Sequence, residues 1–145
     1  MRIMPGNANK IDPSQVNSLA LAFMGDSIIE VYVREAVIAC GGTKPHLLHA
    51  KAVEYVSAKA QSRFLHELKE ENFLSEEELK IVRRGRNAKS HSVPRNTDVQ
   101  TYNFSTGFEA LIGHLYFAGQ EDRIEKIMEK MFRNHPLEGG AVNHE

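Results

Sequence analysis

The stretch LALAFMGDSIIEVYV, residues 19–33, decides the fold. Apolar side chains fill nearly every position rather than one stripe, and the run continues to Cys40, where Gly41-Gly42 stops it as a helix end. A helix that is apolar all round is buried among other helices. Two adjacent residues break the local rules. Gly25 costs about 1 kcal/mol relative to alanine in a helix interior, and Asp26 sets an ionisable carboxylate among Phe23, Met24, Ile28 and Ile29. An ionised carboxylate in such company is costly unless paired or metal-bound. Broken rules of this kind concentrate at functional sites. The alternative is an Asp26 partly exposed on a polar face, with Gly25 merely admitting a neighbouring helix.

Around this helix the pattern stays helical. Upstream, Asp12-Pro13-Ser14-Gln15 offers a cap, a proline at the first helical position and a side chain placed to reach back. Downstream, Leu48, Ala52, Val56, Ala60, Phe64 and Leu68 recur every four residues between Pro45 and Asn72, with room for a bend that the spacing does not locate. Ser75-Glu76-Glu77-Glu78 is a capping box with carboxylates in the positive first turn. The acidic stretch Glu67 to Glu78 reads as a solvated surface. The next helix ends in the basic run Arg83 to Lys89, and Ser90 to Thr97 reads as a loop around Pro94. A long helix spans Asp98 to Ala118 with Gly119 as its stop, and Ile124, Ile127, Met128 and Met131 make Glu121 to Phe132 amphipathic. No segment reads as a strand. The expectation is an all-α protein, a compact helix bundle. It would comprise an N-terminal lead-in over 1–12, one domain over 13–133 and a flexible C-terminal tail over 134–145.

With 41% apolar and 26% charged residues in 145, the composition is that of an ordinary globular domain. A net charge of −1 gives no general attraction for nucleic acid, so any such argument rests on local charge. No run approaches the roughly 18–20 apolar residues of a membrane span, so no membrane partner is expected. The single cysteine, Cys40, and the lack of a secretory signal fit a reducing cytoplasm. No P-loop, dinucleotide fingerprint or serine-hydrolase elbow occurs.

Glu109 repeats the anomaly of Asp26. It stands in FSTGFEALIGHLYF, residues 104–117, between Phe108 and Ala110, with Gly113 again small enough to let a helix close. Two acids on two long helices can converge on one hard divalent cation. Magnesium takes oxygen ligands, usually one or two carboxylates plus waters, and leaves room for phosphate oxygens. A buried acid–lysine pairing is the competing explanation. His46 and His49 stand at i, i+3 but lack a further ligand to complete a zinc shell, and read as surface residues. Cys40 reads as a packing residue. Tyr55, Tyr102, Phe104 and Tyr116 stand at helical spacing and read as core.

LALAFMGDSIIEVYV resembles the signature helix of the ribonuclease III catalytic domain, and FEALIG, residues 108–113, resembles that family's second acidic motif. TKPHLLHAKAVEYVSAKAQS (43–62), RRGRNAKS (83–90) and PRNTDVQTYNFSTGFEAL (94–111) are similar to the family's short Mini branch, so the likeness covers about Asn17 to Phe117. The resemblance implies a bundle of the ribonuclease III endonuclease-domain type. It implies a Mg2+-dependent endoribonuclease, with Mn2+ able to substitute, that cuts double-stranded or structured RNA as a homodimer. It implies Asp26 as the catalytic aspartate and Glu109 as the essential glutamate, both serving as metal ligands. For the short branch it implies maturation of the ends of 23S precursor ribosomal RNA in a ribosome assembly intermediate. Larger members carry a glutamate where this chain has Ala22 and an aspartate where it has Thr106. Both replacements are typical of the short branch and imply that water or RNA phosphates complete the metal shell. The double-stranded-RNA-binding domain of the larger members is expected to be absent after Phe132. Glu30, one turn beyond Asp26, reads chiefly as a salt-bridged or exposed helix residue.

Arg83, Arg84, Arg86 and Lys89, with Arg95 in the loop, are expected to contact RNA phosphates, positioning without reading sequence. Cations favoured by the helix dipole at a solvated end are the alternative. Two rival functions stand beside the nuclease. One is a non-catalytic RNA-binding or ribosome-assembly scaffold, for which Ala22 and Thr106 speak. The other is a metal-dependent phosphohydrolase of small nucleotides, whose usual histidine–aspartate ligand pairing is missing here.

Overall fold

Local caps mark out the helices. In the computed structural model, which describes residues 11–88 and 93–137, Asp12 accepts from the Ser14 amide at 3.0 Å and starts a single 3-10 turn, Pro13–Gln15. Asn17 then accepts from the Leu19 amide at 2.7 Å and opens α1, Ser18–Ala39. The region expected from Pro45 to Asn72 divides into α2, Pro45–Val56, and α3, Ala58–Glu70, so the bend lies at Ser57. Ser57 is extended, with ψ 156°, and its hydroxyl accepts from the Ala60 amide at 3.1 Å, capping the new helix. The capping box of Ser75 and Glu78 opens α4, Glu76–Asn87. Asp98 caps α5, Val99–Phe117, and α6 runs over Glu121–Asn134. Gly41 (φ 97°) and Gly119 (φ 76°) supply the left-handed turns that end α1 and α5. Among the described residues there is no strand. The protein is an all-α helix bundle. No helix among those residues is long and apolar enough to cross a membrane.

The bundle is arranged around α5. Phe108, Ala110, Leu111, Ile112 and Leu115 are buried on its several faces, and α1, α3 and α4 pack against it. Phe64 of α3 meets Phe108 edge-on at 5.6 Å. The amphipathic α6 adds Ile124, Ile127, Met128 and Met131 to the same core.

Glycines set the helix spacing. A Cβ on Gly25 would lie 1.8 Å from the Glu109 carbonyl oxygen, and one on Gly113 would lie 2.0 Å from that of Leu21. The α1–α5 crossing is therefore backbone against backbone. The α4–α5 crossing uses Gly85 and Gly107 less tightly: a Cβ on Gly85 would approach the Ala110 methyl at 2.9 Å.

Two expectations are corrected. The acidic stretch is not all solvated, because Glu78 is buried. Arg123 of α6 donates from Nε and Nη2 to its carboxylate at 2.7 and 2.8 Å, and from Nη2 to the Phe73 carbonyl at 2.6 Å. Burial works to raise the Glu78 pKa, but Arg123 and Ser75 outweigh it and the net shift is downward. The chain is also not loose from Asn134. That residue ends α6 and donates to Glu67 at 3.1 Å, while the His135 carbonyl accepts from the buried Tyr55 hydroxyl at 2.7 Å. Residues 1–10 and 138–145 of the expected lead-in and tail lie outside the described residues.

A graded substitution series tests the spacing argument. Alanine at Gly25 or Gly113 meets backbone that cannot swing aside, and should destabilise by about 2 kcal/mol or more despite alanine's better helix propensity. Alanine at Gly85 meets a methyl group and should be milder. Equal unfolding midpoints across the three variants in urea titrations would contradict the argument.

Candidate active site

The close crossing of α1 and α5 brings the two anomalous acids together. Gly25 touches the backbone of Glu109 itself, and Asp26 is the next residue along α1. The two carboxyl groups share one cleft of about 570 Å³. Its walls are Leu19, Ala22 and Phe23 of α1, Ala58 at the start of α3, Pro94 and Thr97 of the loop, and Tyr102, Ser105 and Thr106 of α5. The environments of the two acids differ. Asp26 is exposed, in line with the alternative reading of its position, while Glu109 is recessed beside it. Burial pushes the Glu109 carboxyl up to about 8, with further upward contributions from the Asp26 charge and a hydrogen bond to Asp26. Hydrogen bonding from Gln61 opposes the rise.

This donor set suits a hard divalent cation. A recessed Glu109 carboxyl whose ionisation is opposed by burial and by the Asp26 charge gains from a nearby positive charge, and magnesium is content with few protein ligands and several waters. Among the described residues no group of three or more His, Cys, Asp or Glu could hold a metal ion, so a zinc-type shell has no candidate. Ala22 is a buried wall residue. The Thr106 hydroxyl donates to the Tyr102 carbonyl at 3.0 Å and the Ser105 hydroxyl to the same oxygen at 2.7 Å. Both hydroxyl oxygens keep lone pairs with which to accept.

Glu30 is paired with Arg34 at 2.9 Å and stands apart from the cleft. The basic residues surround the acids unevenly. Arg83 and Arg84 are exposed, and Arg84 lines a depression with Leu19, which also lines the acidic cleft. Arg86 is half-buried, its guanidinium 5.7 Å from the Phe104 ring. Arg95 is exposed between the cleft residues Pro94 and Thr97. Lys89 lies outside the described residues.

Three features escaped the sequence. Gln61 is fully buried, and its Oε1 has no hydrogen-bond partner among the described residues, an arrangement that costs about 1–3 kcal/mol. Phe104, read as core, does pack against the core but also carries Lys69 at 5.5 Å and Arg86 at 5.7 Å over its ring, with the His66 ring edge-on at 4.6 Å. Tyr102, also read as core, lines the cleft. His46 and His49 are exposed and Cys40 is half-buried and unpaired.

Comparison with known proteins agrees with this architecture. The family model described as the ribonuclease III domain matches residues 19–120. The Mini-ribonuclease 3 of Brevibacillus brevis is 50% identical over 121 residues, covering 83% of this chain and 89% of the relative. That of Enterococcus faecalis is 46% identical over 117 residues, covering 81% and 89%. A crystal structure of a protein from Fusobacterium nucleatum superposes with a TM-score of 0.74 at 32% identity, covering 85% of this chain and 97% of that one.

The raised Glu109 pKa has a consequence for stability. Between about 4.5 and about 8 the folded state holds a proton there that the unfolded chain has released. Metal-free stability should therefore fall as pH rises through that window, by at most about 1.4 kcal/mol per unit, and level off above it. Glu109→Gln should flatten the profile. Denaturation midpoints measured in a chelator across this window check the slope, and an identical decline in the variant would assign it elsewhere.

Proposed function

The chain belongs to the ribonuclease III domain family as an endoribonuclease similar to the Mini-ribonucleases 3, and we propose that it hydrolyses double-stranded RNA with a magnesium ion held between Asp26 and Glu109. The observation that carries the reading is the juxtaposition of those two carboxyl groups at the α1–α5 crossing, in one cleft that shares Leu19 with the depression lined by Arg84. When bound, magnesium, or manganese in its place, supplies a Lewis acid at the phosphate and an activated water.

The chain's own residues supply the rest. Asp26, exposed, would meet the incoming backbone, and Glu109, recessed beside it, would hold the cation together with Asp26. Arg83, Arg84, Arg86 and Arg95 offer phosphate contacts that set position without reading bases. Lys89 belongs to the same basic run. Lys69, gathered with Arg86 at Phe104, extends the positive surface onto α3. Hydroxyls of Thr97, Tyr102 and Ser105 line the cleft, where the 2′-hydroxyls of an A-form duplex can hydrogen-bond. Ala22 and Thr106 leave two ligand positions to water or phosphate, which is compatible with magnesium's habits. The scaffold alternative does not explain why two acids from separate helices are kept together in one cleft.

Membership of the short branch supports the ends of 23S precursor ribosomal RNA in a cytoplasmic assembly intermediate as the substrate. A homodimer is the working form in this reading. Its support is the outer face of α1, where Phe23 is 80%, Val31 63% and Ile38 59% exposed, an apolar strip suited to an isologous contact.

Two experiments test the proposal. Cleavage of a ribosomal RNA precursor stem should require magnesium and fall by at least about a hundredfold in Asp26→Asn and in Glu109→Gln, with duplex binding retained; metal-independent cutting, or cutting by either variant at the normal rate, would remove the assignment. Val31→Glu lies outside the acidic cleft and should shift the sedimenting species from dimer to monomer; an unchanged sedimentation coefficient would place the interface elsewhere.

A further inference from the structure

Gln61 stands where an apolar side chain would serve the bundle as well. It lies in the first turn of α3 and is 0% exposed. The break at Ser57 explains how its amide is held. In one continuous helix the Ala60 amide would donate to the Val56 carbonyl, but here it donates to the Ser57 hydroxyl at 3.1 Å. The Val56 oxygen, at the end of α2, accepts instead from Gln61 Nε2 at 3.0 Å. That bond fixes which way the amide faces, because Oε1 turned toward the same carbonyl would set acceptor against acceptor. Oε1 is left buried with no partner among the described residues.

A filling role does not account for this arrangement. Methionine would occupy similar volume and remove the orphaned Oε1, though it would leave the Val56 carbonyl without its donor. Closing off the Val56 carbonyl accounts for one N–H only. Ala58, one turn before Gln61 on the same helix, lines the cleft together with Glu109, and the Gln61 amide acts on the Glu109 carboxyl in the sense that favours the ionised acid, as a nearby N–H donor does. Gln61 is absent from the cleft lining and so works from behind Glu109, out of reach of substrate.

We propose that Gln61 is a positioning residue: anchored on the Val56 carbonyl, its amide fixes the Glu109 carboxylate in the orientation from which it and Asp26 hold a divalent cation. This rests on the reading of Asp26 and Glu109 as the cation-holding pair. Partners that orient metal-binding carboxylates typically contribute ten- to a hundredfold to metal affinity or activity.

The test compares wild type with Gln61→Met, which keeps the volume and removes the N–H donors, and with Gln61→Asn, which retracts the amide by one methylene. Mn2+ affinity is measured by calorimetry on the RNA-free protein, kcat and KM on a duplex substrate, and melting temperature in a chelator. Both variants should bind Mn2+ about tenfold more weakly and lose about tenfold in kcat with the KM for RNA unchanged. Gln61→Met should melt close to wild type, since it exchanges one unpaired acceptor, Oε1, for another, the Val56 carbonyl; should it fail to fold, Gln61→Asn carries the comparison alone. Wild-type Mn2+ affinity in the folded variants overturns the proposal, as does a lowered melting temperature accompanied only by a raised KM. A wild-type protein that binds no Mn2+ would instead overturn the underlying reading of the acid pair, so the two failures are distinguishable.

Discussion

Everything in this molecule depends on two helix backbones touching. Where α1 crosses α5, Gly25 lies against the carbonyl of Glu109 and Gly113 against that of Leu21. A helix pair normally keeps its axes apart by the thickness of its side chains. Here that layer is missing at two points one turn apart in register, so the residues beside them are drawn together. Asp26 follows Gly25, and Glu109 is itself the residue touched. The interaction that closes the core and the one that sets the acid pair are the same contact, and neither can be loosened without the other.

The helical class was legible because its signals are local. Caps at Asn17, Ser75 and Asp98 and stops at Gly41 and Gly119 are written in neighbouring residues. The meeting of Asp26 and Glu109 was foreshadowed by two broken rules, each an acid close to a glycine in an apolar helix. Their inequality was not. Apolar neighbours in sequence made both acids look buried, yet successive helix residues point about 100° apart, and Phe23 and Asp26 both face outward. Only the packed structure distinguishes the exposed acid from the recessed one.

What stayed hidden came from distant partners. Glu78 looked like a surface residue until Arg123, from the last helix, reached it. Gln61 interrupts no obvious pattern, and its burial follows from α5 lying over it. The bend at Ser57 could not be located because the four-residue spacing continues through it. The arginines of α4 are adjacent in sequence but not in space: Arg84 turns toward the start of α1 while Arg86 packs over Phe104. Two residues apart on a helix is about 200°, slightly more than a half-turn. A basic run therefore becomes two flanks of positive charge.

The unequal depth of the acid pair gives the cleft a direction. Glu109 is backed by Gln61 and the core, whereas Asp26 opens to solvent, so a ribose-phosphate chain can reach the pair only from the α1 side. Under the proposed reading, one copy of this chain would attack one strand of a duplex, and severing both in one encounter would call for a second, oppositely facing copy.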